Sequence, residues 1–198
     1  MDLSKPKEHV HYILHKPFGY LSQFMSNAKH ERNKKFLGTL HDFQPGVMPI
    51  GRLDKNSEGL LLLTTDGFLS NEICSTHIEK EYYVQVDGAI TAAAIAELQG
   101  SVNIGFKGIK YDTKPCKVFQ LETPPDFSER SKKIRDARHG PTSWLSITIN
   151  EGKFRQVRKM TSAVGFPTLR LVRIRIGTIH LNRMAPGEVI KLDELKVD

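Results

Sequence analysis

Short apolar runs alternate along this chain with polar, glycine-bounded breaks, and their spacing predicts the elements. Residues 1–8 read as a polar tail. Val10-His11-Tyr12-Ile13-Leu14 follows as a strand that stops at Lys16-Pro17, because proline lacks the N–H a ladder requires. From Phe18 to Arg32 the chain is polar and irregular. KKFLGTLHDF after it is expected to hold a short helix, and Pro45-Gly46 marks a turn. The continuous run Leu60-Leu61-Leu62-Leu63, closed by Asp66-Gly67, predicts a strand buried on both faces at the centre of a sheet, followed by a tight turn. One or two helical turns are expected over 68–75. Lys80 to Gly88 alternates as a strand with Tyr82, Val84 and Val86 on one face. Thr91 is placed to cap an alanine-rich helix over 92–99 that Gly100 ends.

Glycine spacing between Gly100 and Gly108 predicts a β-turn region, and a strand follows around Cys116 to Leu121. Residues 122–142 hold three prolines and dense mixed charge with almost no large apolar residue, the pattern of a loop or partly mobile insert. Trp144 to Ile149 alternates as a strand, Phe154 to Val164 has helical periodicity, and Thr168–Ile176 and Gly187–Leu192 read as closing strands. Seven or eight strands and three or four short helices, without regular βαβ alternation, predict an α+β fold on a mostly antiparallel sheet. One catalytic domain over 9–198 is expected after the tail.

Composition changes this picture in one respect. At 39% hydrophobic and 26% charged, the chain has no apolar run near the roughly 18 residues of a membrane span. Its N-terminus lacks the apolar region of a secretory signal, so a cytoplasmic location is expected. Cys74 and Cys116 are far apart and are expected to be buried thiols, not a disulfide or metal site. The formal charge of +7, from 29 Lys and Arg against 22 Asp and Glu, fits a chain that approaches a polyanion.

Candidate chemistry centres on Gly51-Arg52-Leu53-Asp54-Lys55-Asn56-Ser57-Glu58-Gly59, a polar loop running straight into the buried leucine strand. Such a loop is held by the core, and a reacting group needs that support because small displacements are costly in rate. By itself Asp54 could merely cap a turn and pair with Arg52. On the helix predicted from Phe154, however, Arg155, Arg158, Lys159 and Ser162 share one face, opposite Val157, Met160 and Val164. No acidic residue between 155 and 164 compensates those three cations, an arrangement that suits a phosphate or a buried carboxylate.

GRLDKNSEGLLLLTTDG, with HKPFGYL at 15–21, KEYYVQV at 80–86 and EGKFRQVRKM at 151–160, resembles the small-subunit-type family of bacterial rRNA pseudouridine synthases. SQF at 22–24, PTSWL at 141–145 and VGFPTLRL at 164–171 bring it nearest to the E type that acts on the large subunit. The resemblance spans about His9 to Leu192. It implies a mixed sheet of two abutting halves with a cleft between them. No N-terminal S4 RNA-binding domain is expected, since that type lacks one and only about nine residues precede the first strand here.

The implied activity is isomerisation of a uridine in 23S rRNA, free or in a large-subunit assembly intermediate, by a monomer without cofactor or metal. By resemblance, Asp54 is the nucleophile, attacking ribose or base, Arg158 is its basic partner, and Tyr82 stacks on the target base once it has left the RNA stack. Lys16, Arg52, Arg155 and Lys159 are expected to contact the RNA backbone, with Lys132, Lys133, Arg135 and Arg138 of the charged loop as further contacts. Metal binding by His9, His11 and His15 lacks matching ligands at a zinc-like spacing. A glycosidase built on Asp54 and Glu58 sits poorly with a basic surface. A noncatalytic rRNA-binding or ribosome-assembly protein on the same scaffold is the rival from another class.

Overall fold

In the computed structural model the described residues are 9–31, 33–75, 78–106 and 108–197. The predicted tail at 1–8 lies outside them. In chain order the elements are β1 (His11–Lys16), β2 (Tyr20–Leu21), β3 (Lys35–Phe36), β4 (Met48–Pro49), β5 (Glu58–Thr64), α1 (Gly67–Ser75), β6 (Lys80–Asp87), α2 (Ala92–Gln99), β7 (Asn103–Phe106), β8 (Ile109–Asp112), β9 (Lys117–Gln120), β10 (Thr142–Ile149), α3 (Gln156–Ala163), β11 (Thr168–Ile176), β12 (Ile179–His180) and β13 (Val189–Leu192). Three single 3-10 turns supplement the helices. No described helix is long and apolar enough to cross a membrane.

Nine strands form one sheet whose main path runs β13-β1-β5-β11-β6-β10-β9, with β4 beside β5 and β12 beside β11. Its described pairings are antiparallel except at β5–β11, where Val172 and Arg173 run parallel to Glu58 and Gly59. That short parallel seam joins two antiparallel halves, as the mixed two-half sheet anticipated. The strand count exceeds the seven or eight expected because β2, β3, β4 and β12 are two-residue strands too brief to leave a period in the sequence, and because the region read as a β-turn around Gly100–Gly108 forms the β7–β8 hairpin.

Every residue of β5 is buried, because the sheet packs on both faces there. Leu60 and Leu62 face a core with Ile13, Ile50, Val172 and Leu195, while Leu61 and Leu63 face another with Tyr12, Leu14 and Leu37. Each fully buried leucine contributes about 2 kcal/mol of transfer free energy. A third core fills the other half with Tyr82, Val84 and Val86 from β6, and Leu145 and Ile147 from β10. Ala94 and Leu98 of α2 and Val157 and Met160 of α3 complete it. The Thr91 hydroxyl accepts from the Ala94 N–H at the start of α2, so that cap forms as expected.

Four sequence expectations need correction. Asp66-Gly67 is no free tight turn: the Asp66 carboxylate caps α1 by accepting from the Phe68 and Leu69 N–H groups. KKFLGTLHDF yields β3 and a single 3-10 turn, since β2 draws Lys35 and Phe36 into a parallel pair. Cys74 is exposed at the end of α1, whereas Cys116 is half-buried with its thiol pushed up to about 11 by burial. The 122–142 segment does carry an apolar anchor, Phe127, whose ring lies 6.1 Å from Tyr83 and 5.9 Å from Trp144 on the sheet.

Gly59 explains how the seam closes. Its φ is +105°, and a Cβ there would lie 2.2 Å from the Arg173 carbonyl oxygen and 2.6 Å from its amide nitrogen. Gly59→Ala is therefore expected to destabilise the fold by about 3 kcal/mol or more, combining strain with a backbone clash. Gly46→Ala, at φ +85° with open space around it, is expected to cost only about 1 kcal/mol. Urea unfolding midpoints of the two variants check this, and equal costs would contradict the seam argument.

Candidate active site

A cleft of about 470 Å³ opens where the halves meet, lined by Arg52 and Asp54 from the loop before β5, Lys80 and Tyr82 from β6, Arg155 ahead of α3, and Arg173 from β11. The Asp54 loop is pinned on several sides. Leu53 buries its side chain in the core of the opposite half, and the Ser22 hydroxyl donates to the Leu53 carbonyl at 2.8 Å while accepting from its N–H at 3.0 Å. Gly19 N–H reaches the Lys55 carbonyl at 2.8 Å, and Ser57 N–H closes the turn onto the Asp54 carbonyl at 3.0 Å.

Two guanidinium groups flank one oxygen of the Asp54 carboxylate, Arg155 Nη1 at 3.6 Å and Arg158 Nε at 3.8 Å. Both separations exceed hydrogen-bonding distance, so the carboxylate is balanced by charge, with no hydrogen-bond donor on its oxygens among the described residues. Arg158 divides its work. Its Nη2 donates to the Asn56 carbonyl at 2.8 Å, clamping the loop, and its buried Nε has no hydrogen-bond partner among the described residues. Burial foremost, then the neighbouring Arg155 charge, lowers the Arg158 pKa from its ordinary value; a guanidinium nevertheless stays charged at neutral pH.

Arg155 owes its position to the backbone. It adopts the left-handed conformation, φ 54° and ψ 33°, one of two non-glycine residues with positive φ among those described. That conformation costs about 1 kcal/mol and persists because its surroundings enforce it. The buried Gln156 side chain accepts from the Lys153 N–H at 3.0 Å and donates back to Glu151, which also accepts from the Tyr111 hydroxyl at 2.6 Å and the Lys114 N–H at 3.0 Å.

Glu58 is withdrawn from the cleft. It is 2% exposed and held by Arg170 through two bonds of 3.1 and 2.8 Å, so its negative charge is fully engaged at the seam. Tyr82 is 8% exposed and forms part of the cleft wall as well as part of the core. Lys80 shares its strand face, with a pKa lowered chiefly by burial and further by Arg173. Arg173 donates from Nε to the Leu60 carbonyl at 2.8 Å, while its buried Nη2 has no partner among the described residues.

Residues 10–163 match the model of the RNA pseudouridylate synthase family. The chain belongs to that family. It is 40% identical over 178 residues to the ribosomal large subunit pseudouridine synthase E of Xanthomonas axonopodis pv. citri (strain 306), covering 88% of this chain and 89% of that one. It is 41% identical over 180 residues to the enzyme of the same name from Vibrio vulnificus (strain CMCP6), covering 89% and 72%. A crystal structure of a pseudouridylate synthase superposes with a TM-score of 0.73 at 26% identity, covering 96% of this chain and 73% of that one.

In this pseudouridylate synthase, an isomerase by family, the structure brings Asp54, Arg155 and Arg158 together and sets Tyr82 and Arg52 on the same cleft. Lys159 lies one turn away, beside Arg155 and Arg158 on a shallow second concavity against β7. Lys16 does not join them. It is wholly buried at the end of β1 opposite Gly59 of β5, its ammonium donating to the Pro17 and Tyr20 carbonyls at 3.0 and 2.8 Å, so it cannot meet an RNA backbone as expected. Arg135 of the charged loop is paired with Asp87, and Arg138 with Asp136. Arg155 as a second ion partner of Asp54, Ser22, Lys80 and Arg173 went unassigned in the sequence. Alternation on the strands that carry Tyr82 and Leu171 offered a signal for Lys80 and Arg173, and nothing local offered one for Ser22.

Burial drops the Lys16 pKa to about 7, although Glu58 and Asp54 pull it back up. Between that value and the ordinary lysine range the unfolded chain binds more protons than the folded one, so this group makes stability rise with pH. The slope is expected to be up to about 1.4 kcal/mol per pH unit above pH 7. Lys16→Met should flatten the rise in urea midpoint between pH 7 and 9 relative to the wild type, and an unchanged rise would contradict the assignment.

Proposed function

We propose that this enzyme isomerises a uridine of 23S rRNA to pseudouridine in the cytoplasm, as a monomer, with Asp54 as its nucleophile. One observation carries the reading: a carboxylate fixed at the seam of the sheet, charge-compensated by two arginines yet free of hydrogen-bond donors among the described residues, faces a cleft walled by a tyrosine. The names of the E-type relatives supply the substrate class, and the net charge of +7 suits it.

The reaction breaks the bond from ribose C1′ to N1 of the base, turns the base, and joins C1′ to C5. The C5 hydrogen leaves as a proton and N1 gains one, so the product is an isomer. Attack by Asp54 on ribose or base holds one fragment covalently while the base turns. Arg158 sets its positive charge beside the carboxylate and holds its loop in place, and its Nε, without a hydrogen-bond partner among the described residues, is available to tighten onto Asp54 when substrate fills the cleft. Tyr82 stacks on the extruded uracil, and Arg52, Arg155 and Lys159 contact flanking phosphates. A noncatalytic binding protein would have no need of this carboxylate-and-arginine arrangement, and the reading as an assembly factor alone is set aside.

A 23S rRNA transcript carrying 5-tritiated uridine is expected to release about one equivalent of tritium, because loss of the C5 hydrogen is obligatory, while a 16S transcript releases none. No release from 23S rRNA, either free or in large-subunit assembly intermediates, would overturn the proposal. Arg158→Lys, which keeps the charge but not the planar fork, should lower turnover roughly 10- to 100-fold. Turnover within about twofold of the wild type would remove Arg158 from its assigned part.

A further inference from the structure

Phe154 is 65% exposed, one of several large apolar side chains on the surface, and its neighbourhood sets it apart from the others. Unlike the exposed Phe68 and Phe119, it is flanked in sequence by two cations, Lys153 and Arg155, that both line the cleft. The Lys159 ammonium lies 5.2 Å from its ring centroid, and Lys159 and Arg155 line the adjoining concavity. The ring therefore stands on the crest between two cationic hollows.

The crest is built, not incidental. Phe154 directly precedes the left-handed Arg155, and the turn that carries both is braced by the buried Gln156 side chain and by Glu151, itself fixed from Tyr111 and Lys114. The Lys159 contact gives a ring so placed a favourable cation–π interaction of about 0.5–1 kcal/mol, well short of what burying it would contribute. Apolar area so exposed gives up transfer free energy that burial would have gained. The turn does match what single-stranded nucleic acid requires, a π-face for a base and positive charge for the phosphates on each side of it.

We propose that Phe154 is a stacking platform for an unpaired nucleobase of the RNA next to the target uridine, with Arg155 and Lys159 holding the adjoining phosphates. This rests on the reading of the cleft as the uridine site and assigns the strand's path out of it, across the start of α3 toward β7. Extrusion of the target uridine breaks stacking on its neighbours, and an aromatic surface at the rim replaces part of what is lost.

The test uses the full-length enzyme and two fluorescein-labelled probes, single-stranded octauridylate and an abasic ribose-phosphate octamer, with affinity read by anisotropy. On octauridylate, Phe154→Ala and Phe154→Leu are expected to weaken binding roughly 10- to 100-fold, whereas Phe154→Trp stays within about threefold of wild type. On the abasic octamer all four proteins should bind alike. Wild-type affinity of Phe154→Leu for octauridylate would overturn the proposal, since it would make the contact merely apolar or absent. A loss that persists on the abasic octamer would overturn it too. Tritium release from the 23S transcript is measured separately: its absence in the wild type defeats the functional reading, while the two-probe comparison still decides Phe154.

Discussion

The seam between β5 and β11 is the constraint on which the rest depends. Two antiparallel half-sheets meet there over a two-residue parallel register, too little ladder to hold them alone, and the join is secured by side chains. The Glu58 carboxylate and the Arg170 guanidinium form a buried bidentate pair across it, and Arg173 donates to the Leu60 carbonyl. Such a pair is weak evidence of net stability, because desolvation offsets most of its attraction. Breaking it by removing one partner would leave an uncompensated buried charge, at a cost of about 3–5 kcal/mol. The pair fixes how the halves meet, and four residues upstream of Glu58 stands Asp54. The position of the carboxylate is thus set by the same interaction that joins the sheet.

The cations around the cleft divide their labour by burial. Glu58 absorbs Arg170, and Arg158 spends one nitrogen on the loop backbone and keeps another near Asp54. Arg155 and Arg52 remain exposed enough to meet a phosphate. Lys16, the most deeply buried of the described basic residues, has become part of the scaffold: its ammonium ties the 17–20 turn, whose Gly19 N–H in turn holds the Lys55 carbonyl beside Asp54. The charged 122–142 segment is likewise fastened to the sheet, through Phe127, through Arg135 to Asp87, and through Arg130, whose guanidinium stacks 4.4 Å from the Phe18 ring.

What the sequence made legible follows from how local each signal was. The leucine run of β5, the alternation of β6 and the Thr91 cap are periodic or contiguous, and each appears where the pattern put it. The helix expected from Phe154 begins only at Gln156, so α3 carries Arg158 and Lys159 as expected while Arg155 stands ahead of it and not on a helical face. The polar loop leading into a buried strand marked Asp54 correctly as a core-supported carboxylate, and the family resemblance is matched over residues 10–163. Contacts made at long range were not legible. Lys16 looked like a surface cation because lysine usually is one, and only the fold, which sets it opposite Gly59 of β5 with its ammonium on two carbonyls, shows why it is buried. Ser22 bonds a residue 31 positions away, and the left-handed backbone of Arg155 leaves no mark in composition.

The central claim, that the fixed carboxylate of Asp54 does the chemistry and not merely the folding, is tested most directly by Asp54→Asn under single-turnover conditions. The amide is nearly the same size and loses only the negative charge. The variant is expected to bind a 23S rRNA transcript within about threefold of wild type and to melt within a few degrees of it, while tritium release from C5 falls to background. A variant that releases tritium at a tenth or more of the wild-type rate would contradict that claim, and would make Asp54 a structural partner of Arg155 and Arg158.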